Sequence, residues 1–491
     1  MIAALALAAV ALVPAQQPER VVVAFVPGIA WEAPGAAVGA LVTYDGCPAE
    51  VAAMLAAGKR VTADCGAPIT SVTLPAGARL LDLTALPSLD AALAALRTED
   101  ADRTLLISVA PRGHLGGVAV LPGEGVLRGD TRRDGLVTVP DLTRYLTGDL
   151  DLATSAGSAA DVRALARREH LHRPYHGVFH TGLIALPMLL YIWLGFGRRR
   201  AGPWERRIAL ALATYPAAGF VASWLPWWRV SWAGAAAVAS VIAAMGLLLG
   251  LGALAARLLR APVEAGLAAA VALVLAADLL AGGYLQETGI ASYSAVAGGR
   301  FHGIGNAGFA VLATAAVIAV GAAVTRYGAR AWLALVPLVV LVGAPPWGAD
   351  FGGALTLTAA LVVALAKRPR AVVLGAAAGL AVALALAVLD YRTDDPTHLG
   401  RFVGDVLEGT WTETVGRKAS AAAHSAFTWF PLLVAGSAAY AVSRRWTHPM
   451  VAPLVVLWAV GSAVNDTGLV VAACGMALAV PLLLSYTERP A

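Results

Sequence analysis

The chain has 491 residues, 59% of them hydrophobic, and a mean hydropathy of +0.72. Only 14% are charged, against roughly a quarter in a soluble domain, which excludes both a multidomain cytosolic enzyme and a disordered chain. The net charge of +5 sits largely in short arginine clusters between apolar runs, so it reads as a topology signal and not as a nucleic-acid surface.

Residues 2–14 form an apolar run too short to span a bilayer comfortably, followed by small residues and then Gln16-Gln17-Pro18-Glu19-Arg20. That pattern predicts a secretory signal peptide over 1–16. No Lys or Arg precedes the run, so an uncleaved N-terminal anchor is the alternative. Either way, the segment that follows leaves the cytoplasm.

Residues 20–165 have a different texture. Buried-strand runs at Val21–Val26 and Leu105–Val109 alternate with helix-like stretches at Glu50–Leu55 and Leu89–Leu96, which predicts an α/β domain with a mainly parallel sheet. Outside the cell Cys47 and Cys65 could pair, adding about 3 kcal/mol by loop closure, or could remain two buried thiols. With Cys474 they are the three cysteines, and no C-x-x-C occurs, so neither a zinc site nor a thioredoxin-like motif is expected.

From 175 to 487 the chain predicts an α-helical polytopic membrane bundle. Candidate spans lie near 178–197, 207–227, 231–255, 263–283, 304–325, 330–347, 351–366, 371–389, 424–442, 450–464 and 467–486. Each is about long enough for a hydrocarbon layer of roughly 30 Å at 1.5 Å per residue. With the N-terminal domain outside, the inner connections hold Arg198–Arg200, Arg206, Arg207, Arg257, Arg260, Arg326, Arg330, Lys367, Arg368, Arg370, Arg444 and Arg445. The outer ones hold only Arg229, Arg300, Arg392, Arg401, Arg417 and Lys418. This bias fits a multi-pass protein of a bacterial cytoplasmic membrane with a cytoplasmic C-terminus.

On that topology the polar residues that interrupt apolar sequence gather on the outer side. They are Gly299–Asn306 (GRFHGIGN), Gly348–Gly353 (GADFGG), Asn465–Gly468 (NDTG), and Asp278 with Gln286 at the end of the fourth span. Charges at such depth cost about 3 kcal/mol each on insertion scales and usually face a bundle interior or a wet cavity, and glycines beside them permit broken helices. The pattern predicts an outward-facing polar cavity. Its alternative is packing: Arg300, Asp350 and Asp466 as buried ion pairs among close-packing glycines. The outer loop 390–424 carries Leu399, Phe402, Val403, Val406 and Leu407 at helical spacing, which predicts an amphipathic helix at the membrane surface, either a lid or a plain connector. His302, His398 and Asp350 are the candidate catalytic groups. Arg300, Asn306, Arg401, Arg417, Lys418, Asn465, Asp466, Asp278 and Gln286 are the candidate substrate-binding groups. The histidines could equally be structural. With no H-x-x-H or H-E-x-x-H pair, neither a metal nor another cofactor is expected.

The stretch Asp278–Asn306 together with GADFGG, THLGRF at 397–402, GRK at 416–418 and NDTG resembles a family of uncharacterised polytopic membrane proteins of actinobacteria and related high-GC bacteria, a resemblance that implies no activity. Residues Val21–Gly28 and Asp130–Leu142 resemble the alkaline-phosphatase superfamily core. Val26-Pro27-Gly28 stands where that family has a metal-binding aspartate, so the resemblance implies a degenerate binding or scaffold domain without its metals. Arg300–Asn306 and the basic outer loop resemble O-antigen ligases and glycan polymerases. That implies transfer from a polyprenyl-diphosphate-linked glycan, with arginines on the diphosphate and a histidine on the acceptor hydroxyl. The leading expectation is an envelope membrane protein whose outer polar site handles a lipid-linked glycan or phosphate-bearing substrate, as a transferase if it is an enzyme. The alternatives are a transporter or flippase, and a noncatalytic scaffold whose exported domain binds an envelope protein partner.

Overall fold

Val21–Phe25 buries four successive side chains, as a strand covered on both faces does. It is β1 of an eight-stranded sheet. The others are β2 (Ala37–Val42), β3 (Arg79–Asp82), β4 (Arg103–Ser108), β5 (Gly116–Leu121), β6 (Val126–Arg128), β7 (Leu136–Thr138) and β8 (Ala153–Ser155), in the order β3-β1-β4-β5-β2-β6-β8 with β7 beside β2. The computed structural model describes residues 20–487 apart from 44–45, 59–60, 62, 112–113, 130, 132, 196–200, 296–300, 367–383, 385–387, 389–390, 393–397, 410, 413–414, 417–419, 421–422, 424, 426, 444–447 and 466. The expected signal peptide or anchor over 1–16 lies outside them. The chain divides into two compact units, 1–170 and 171–491.

The sheet of the first unit is mixed, where the sequence predicted a mainly parallel one. β1 is parallel to β3 and β4, and β2 to β6 and β7, but β5 is antiparallel to both β2 and β4, and β8 to β6. The reason is chain length. Residues 109–115 are too few for a parallel crossover, which needs about a dozen, so β5 must return alongside β4. Two glycines hid that strand from a propensity reading. A Cβ on Gly116 would lie 2.5 Å from the Ser108 carbonyl oxygen, and one on Gly117 would lie 2.7 Å from Ser108 Oγ. Helices α1 (Pro48–Ala57) and α3 (Val139–Thr147) pack with the sheet around Phe25, Leu41, Met54, Leu105 and Leu142, and α2 (Leu89–Leu96) follows β3. Cys47 and Cys65 are joined by a disulfide, their Cα atoms 5.6 Å apart. Thr138 and Asp141 form a capping box at the start of α3.

The second unit is helical. Its elements are α4 (Ala159–Trp193, which begins in the first unit), α5 (Pro203–Val221), α6 (Ala233–Leu259), α7 (Val263–Leu280), α8 (Tyr284–Thr288), α9 (Asn306–Tyr327), α10 (Val336–Gly343), α11 (Phe351–Leu365), α12 (His398–Glu408), α13 (Phe430–Ser443), α14 (Val451–Val464) and α15 (Val470–Thr487). Among the described residues four of them, α4, α6, α7 and α9, are long and apolar enough to cross a membrane. Of the eleven stretches expected as spans, ten fall on described helices, several of them shorter than expected, while 371–389 lies outside the described residues apart from positions 384 and 388. α9 is the centre of the core: Phe309 to Ala313 are buried in unbroken succession, so it is covered on nearly every side. Elsewhere the exposed side chains are sorted. Trp193, Trp204, Trp224, Trp232, Tyr284, Tyr327, Trp347 and Trp429 stand exposed at or just beyond helix ends, whereas the large side chains exposed in the middle of α6 and α7 are aliphatic, such as Ile242, Leu247 and Leu273.

Candidate functional site

α7 ends in Asp278-Leu279-Leu280 and the chain reverses at Gly282 and Gly283, whose φ angles of 106° and 79° are open to glycine and costly for other residues. The buried Asp278 carboxylate then caps α8. Oδ1 accepts from the Leu285 amide at 2.8 Å and Oδ2 from the Gln286 amide at 3.2 Å. Beyond α8 the backbone is irregular at 289–294 and again at 301–305, yet Ile290, Ala291 and Ile304 are buried. Gln286 turns its side chain onto the first turn of α9, where a Cβ on Gly308 would collide with the amide oxygen. The Gln286 amide is 97% buried, and among the described residues neither of its ends has a hydrogen-bond partner.

The three glycine-rich motifs meet at this place. Asn306 opens α9; its backbone amide donates to Tyr293 Oη at 2.5 Å and its side-chain Nδ2 to Thr467 Oγ1 at 2.9 Å. The Ile304 amide donates to the Gly348 carbonyl at 2.8 Å. Asp350 caps α11 by accepting from the Gly353 amide at 3.1 Å, while its own amide donates to Val342 at the end of α10. Asn465 follows α14 and donates to the Gly461 carbonyl at 2.9 Å; its Oδ1 is 3.0 Å from where a Cβ on Gly352 would stand. The Leu469 amide donates to Ser425 Oγ, which joins the residue after segment 390–424 to NDTG.

The contacts thus bring Asp278, Gln286, Asn306, Asp350 and Asn465 into one junction, built where α7, α10 and α14 end and α9, α11 and α15 begin. Glycines let it close: a Cβ on Gly303, Gly305 or Gly348 would strike a neighbouring atom. The helix starts that meet here have their amides taken up by Asp278, Tyr293 and Asp350, which leaves the Gln286 side-chain amide as the buried polar group of the junction without a partner among the described residues.

His302 is half-buried in the turn before Gly303, beside the junction. His398 and Arg401 lie on α12, whose backbone supplies the helix expected in the outer loop. Arg300, Arg417, Lys418 and Asp466 lie outside the described residues. Among the described residues no group of three or more His, Cys, Asp or Glu is placed to hold a metal ion. In the first unit Asp141, from the segment compared with the phosphatases, serves as a helix cap: its Oδ2 accepts from the Thr138 amide at 2.9 Å.

Sequence reasoning missed Tyr293 and Ser425, which complete the junction, and named Thr467 only as part of NDTG and not as a site residue. It also missed His172, His176 and His180 on α4. Their spacing of four residues was a readable signal, obscured because the first half of that helix is polar. Comparison with protein-family models, with curated proteins and with solved structures finds no match for this chain.

Proposed function

We propose that this is a multi-pass protein of a bacterial cytoplasmic membrane, acting in the cell envelope, whose junction engages the polar head of a lipid-linked glycan or phosphate-bearing substrate at the outer face. The observation that carries the reading is the convergence of Asp278–Asn306, Gly348–Gly353 and Asn465–Gly468 at one end of the helices, when hydrocarbon would otherwise penalise each polar group. Two features support the placement. The Cys47–Cys65 bond suits an oxidising compartment. Exposed Trp and Tyr at helix ends, with aliphatic side chains between them, is how spans meet two interfaces. In a transferase, Arg300, Arg401, Arg417 and Lys418 would neutralise a diphosphate, and His302 or His398 would take the acceptor proton with Asp350 beside the reacting groups.

A second reading, transport, is favoured by the buried irregular backbone at 289–294 and 301–305. Such backbone at membrane depth is tolerated where it lines a path through the protein.

Two measurements test the proposal. Single cysteines at 302, 347 and 467 should react with an impermeant maleimide applied to intact cells, and cysteines at 199 and 330 only after permeabilisation. Reaction of 302 and 467 from opposite sides removes the outer site. Native mass spectrometry should find polyprenyl phosphate lipid on the purified protein and less of it on Gln286→Leu. Equal lipid on both would break the substrate assignment while leaving the topology intact.

A further inference from the structure

The histidines of α4 form a second polar feature, distinct from the junction. His172, His176 and His180 share one helix face, and their rings follow one another, with centroids 4.9 Å apart for the first pair and 4.0 Å for the second. Backbone carbonyls pin the last two. His176 Nδ1 is 2.8 Å from the Ile290 oxygen and His180 Nδ1 is 2.9 Å from the His176 oxygen. A carbonyl only accepts, so both rings carry their hydrogen on Nδ1 and keep a lone pair on Nε2.

His172 adjoins His176 on the same helix, and the rest of the surroundings come from neighbouring elements. From α5 comes Tyr215, whose hydroxyl donates to the Phe179 carbonyl at 3.1 Å and whose ring stacks on Phe179. From α13 comes Phe430, edge-on to His180, and from the segment before α9 comes the Ile290 carbonyl. On α4 itself Phe179 packs edge-on to His180, and Tyr175 is turned to Trp227. Among the described residues the ionisable group that acts on His180 is His176, and no acid or base from another element acts on either ring.

We propose that His176 and His180 are a binding site for a single proton, linked to the polar junction through Ile290. Two imidazolium rings 4.0 Å apart repel in surroundings of low dielectric, so the second proton binds about a thousandfold more weakly than the first. The bound proton makes the hydrogen bond from His176 to Ile290 charge-assisted and stronger. Ile290 lies in the segment that Ser223 holds through the Thr288 carbonyl at 2.7 Å and that delivers Tyr293 to the Asn306 amide. Proton uptake therefore tightens the segment that builds the junction. By reciprocity, a ligand that orders the junction raises the affinity for the proton. The inference holds whichever headgroup the junction takes.

The test uses the full chain in nanodiscs. Nitrogen-15 histidine NMR, assigned through single His→Gln variants, should show Nδ1–H tautomers for 176 and 180 at high pH and one proton taken up by the two rings together on acidification. Hydrogen exchange over 284–295, corrected for its intrinsic pH dependence, should slow about fivefold over the same step, the gain expected when a neutral hydrogen bond becomes charge-assisted. His176→Gln should still take up one proton, now on His180, and lose the slowing. Two protons at one pH, no proton at all, Nε2–H tautomers, or exchange indifferent to the titration would each overturn the proposal. The wild-type measurements decide it even if the variant fails to fold.

Discussion

The two units solve the same problem, the placement of polar groups, in opposite ways. In the first, most ion pairs meet at the surface, the buried pair Arg168–Glu169 being the exception: Arg20 with Asp100 and Asp102, Arg79 with Glu99, and Arg163 with Glu32, with side chains mostly exposed. Pairs of that kind contribute little in water, so the unit leans on its sheet, its apolar core and a disulfide. In the second, Asp278 and Asp350 bind backbone amides, Asn306 binds Thr467, Glu264 accepts from Ser485, and Trp458 donates to Thr314, all largely out of solvent. Where water cannot compensate a lost partner each such bond is costly to break. The comparison teaches that the exposed ion pairs seen among the described residues lie in the first unit, whereas in the second the polar side chains that find partners are mostly structural.

Glycine substitutions should give the widest contrast. Gly308→Leu drives a side chain into the Gln286 amide and should cost about 4 kcal/mol or more, seen as loss of monodisperse protein in detergent. Gly35→Ala, at a positive φ with nothing within 4 Å, should cost about 1 kcal/mol. Similar losses at the two sites would break the contrast between close packing and backbone conformation. Cys47→Ser should remove about 3 kcal/mol from the first unit in thermal unfolding, as should reductant, with the helical unit unaffected.

Asp278→Ala strips the cap from α8 and leaves two buried amides without their acceptor, a loss of about 2 kcal/mol; Asp278→Asn keeps one acceptor oxygen and should lose less. The smallest effect belongs to Arg20 and Asp102. The hydrogen bonds from Arg20 hold the Asp102 carboxyl below its ordinary value, so its contribution is full above the unfolded pKa of about 3.9 and fades as the pH falls through the lower folded value. Wild type and Asp102→Asn should differ slightly in unfolding temperature at neutral pH and converge in strong acid. A difference that grows on acidification would reverse the assigned sign.

Much of this was legible beforehand. The runs at Val263–Leu280 and Asn306–Tyr327 announce helices by apolarity alone, and Val21–Phe25 and Arg103–Ser108 announce strands. β5 was not legible, because Gly116 and Gly117 carry no strand signal and are required only by the approach of Ser108. The junction was half legible. GRFHGIGN, GADFGG and NDTG could be singled out one by one, but which of their residues pair, Ile304 with Gly348 and Asn306 with Thr467, was not readable, and Tyr293 lies outside all three motifs.

Apolar periodicity and the spacing of breakers are local properties, and they determined where the helices lie and that polar residues would collect near their ends. Which polar residue meets which was decided by helix packing, because a bond between residues 306 and 467, or between 176 and 290, depends on how distant segments are brought together and not on their own composition. The use of each carboxylate followed from the same packing. Asp278 and Asp350 became caps because a helix start was delivered within reach of their oxygens.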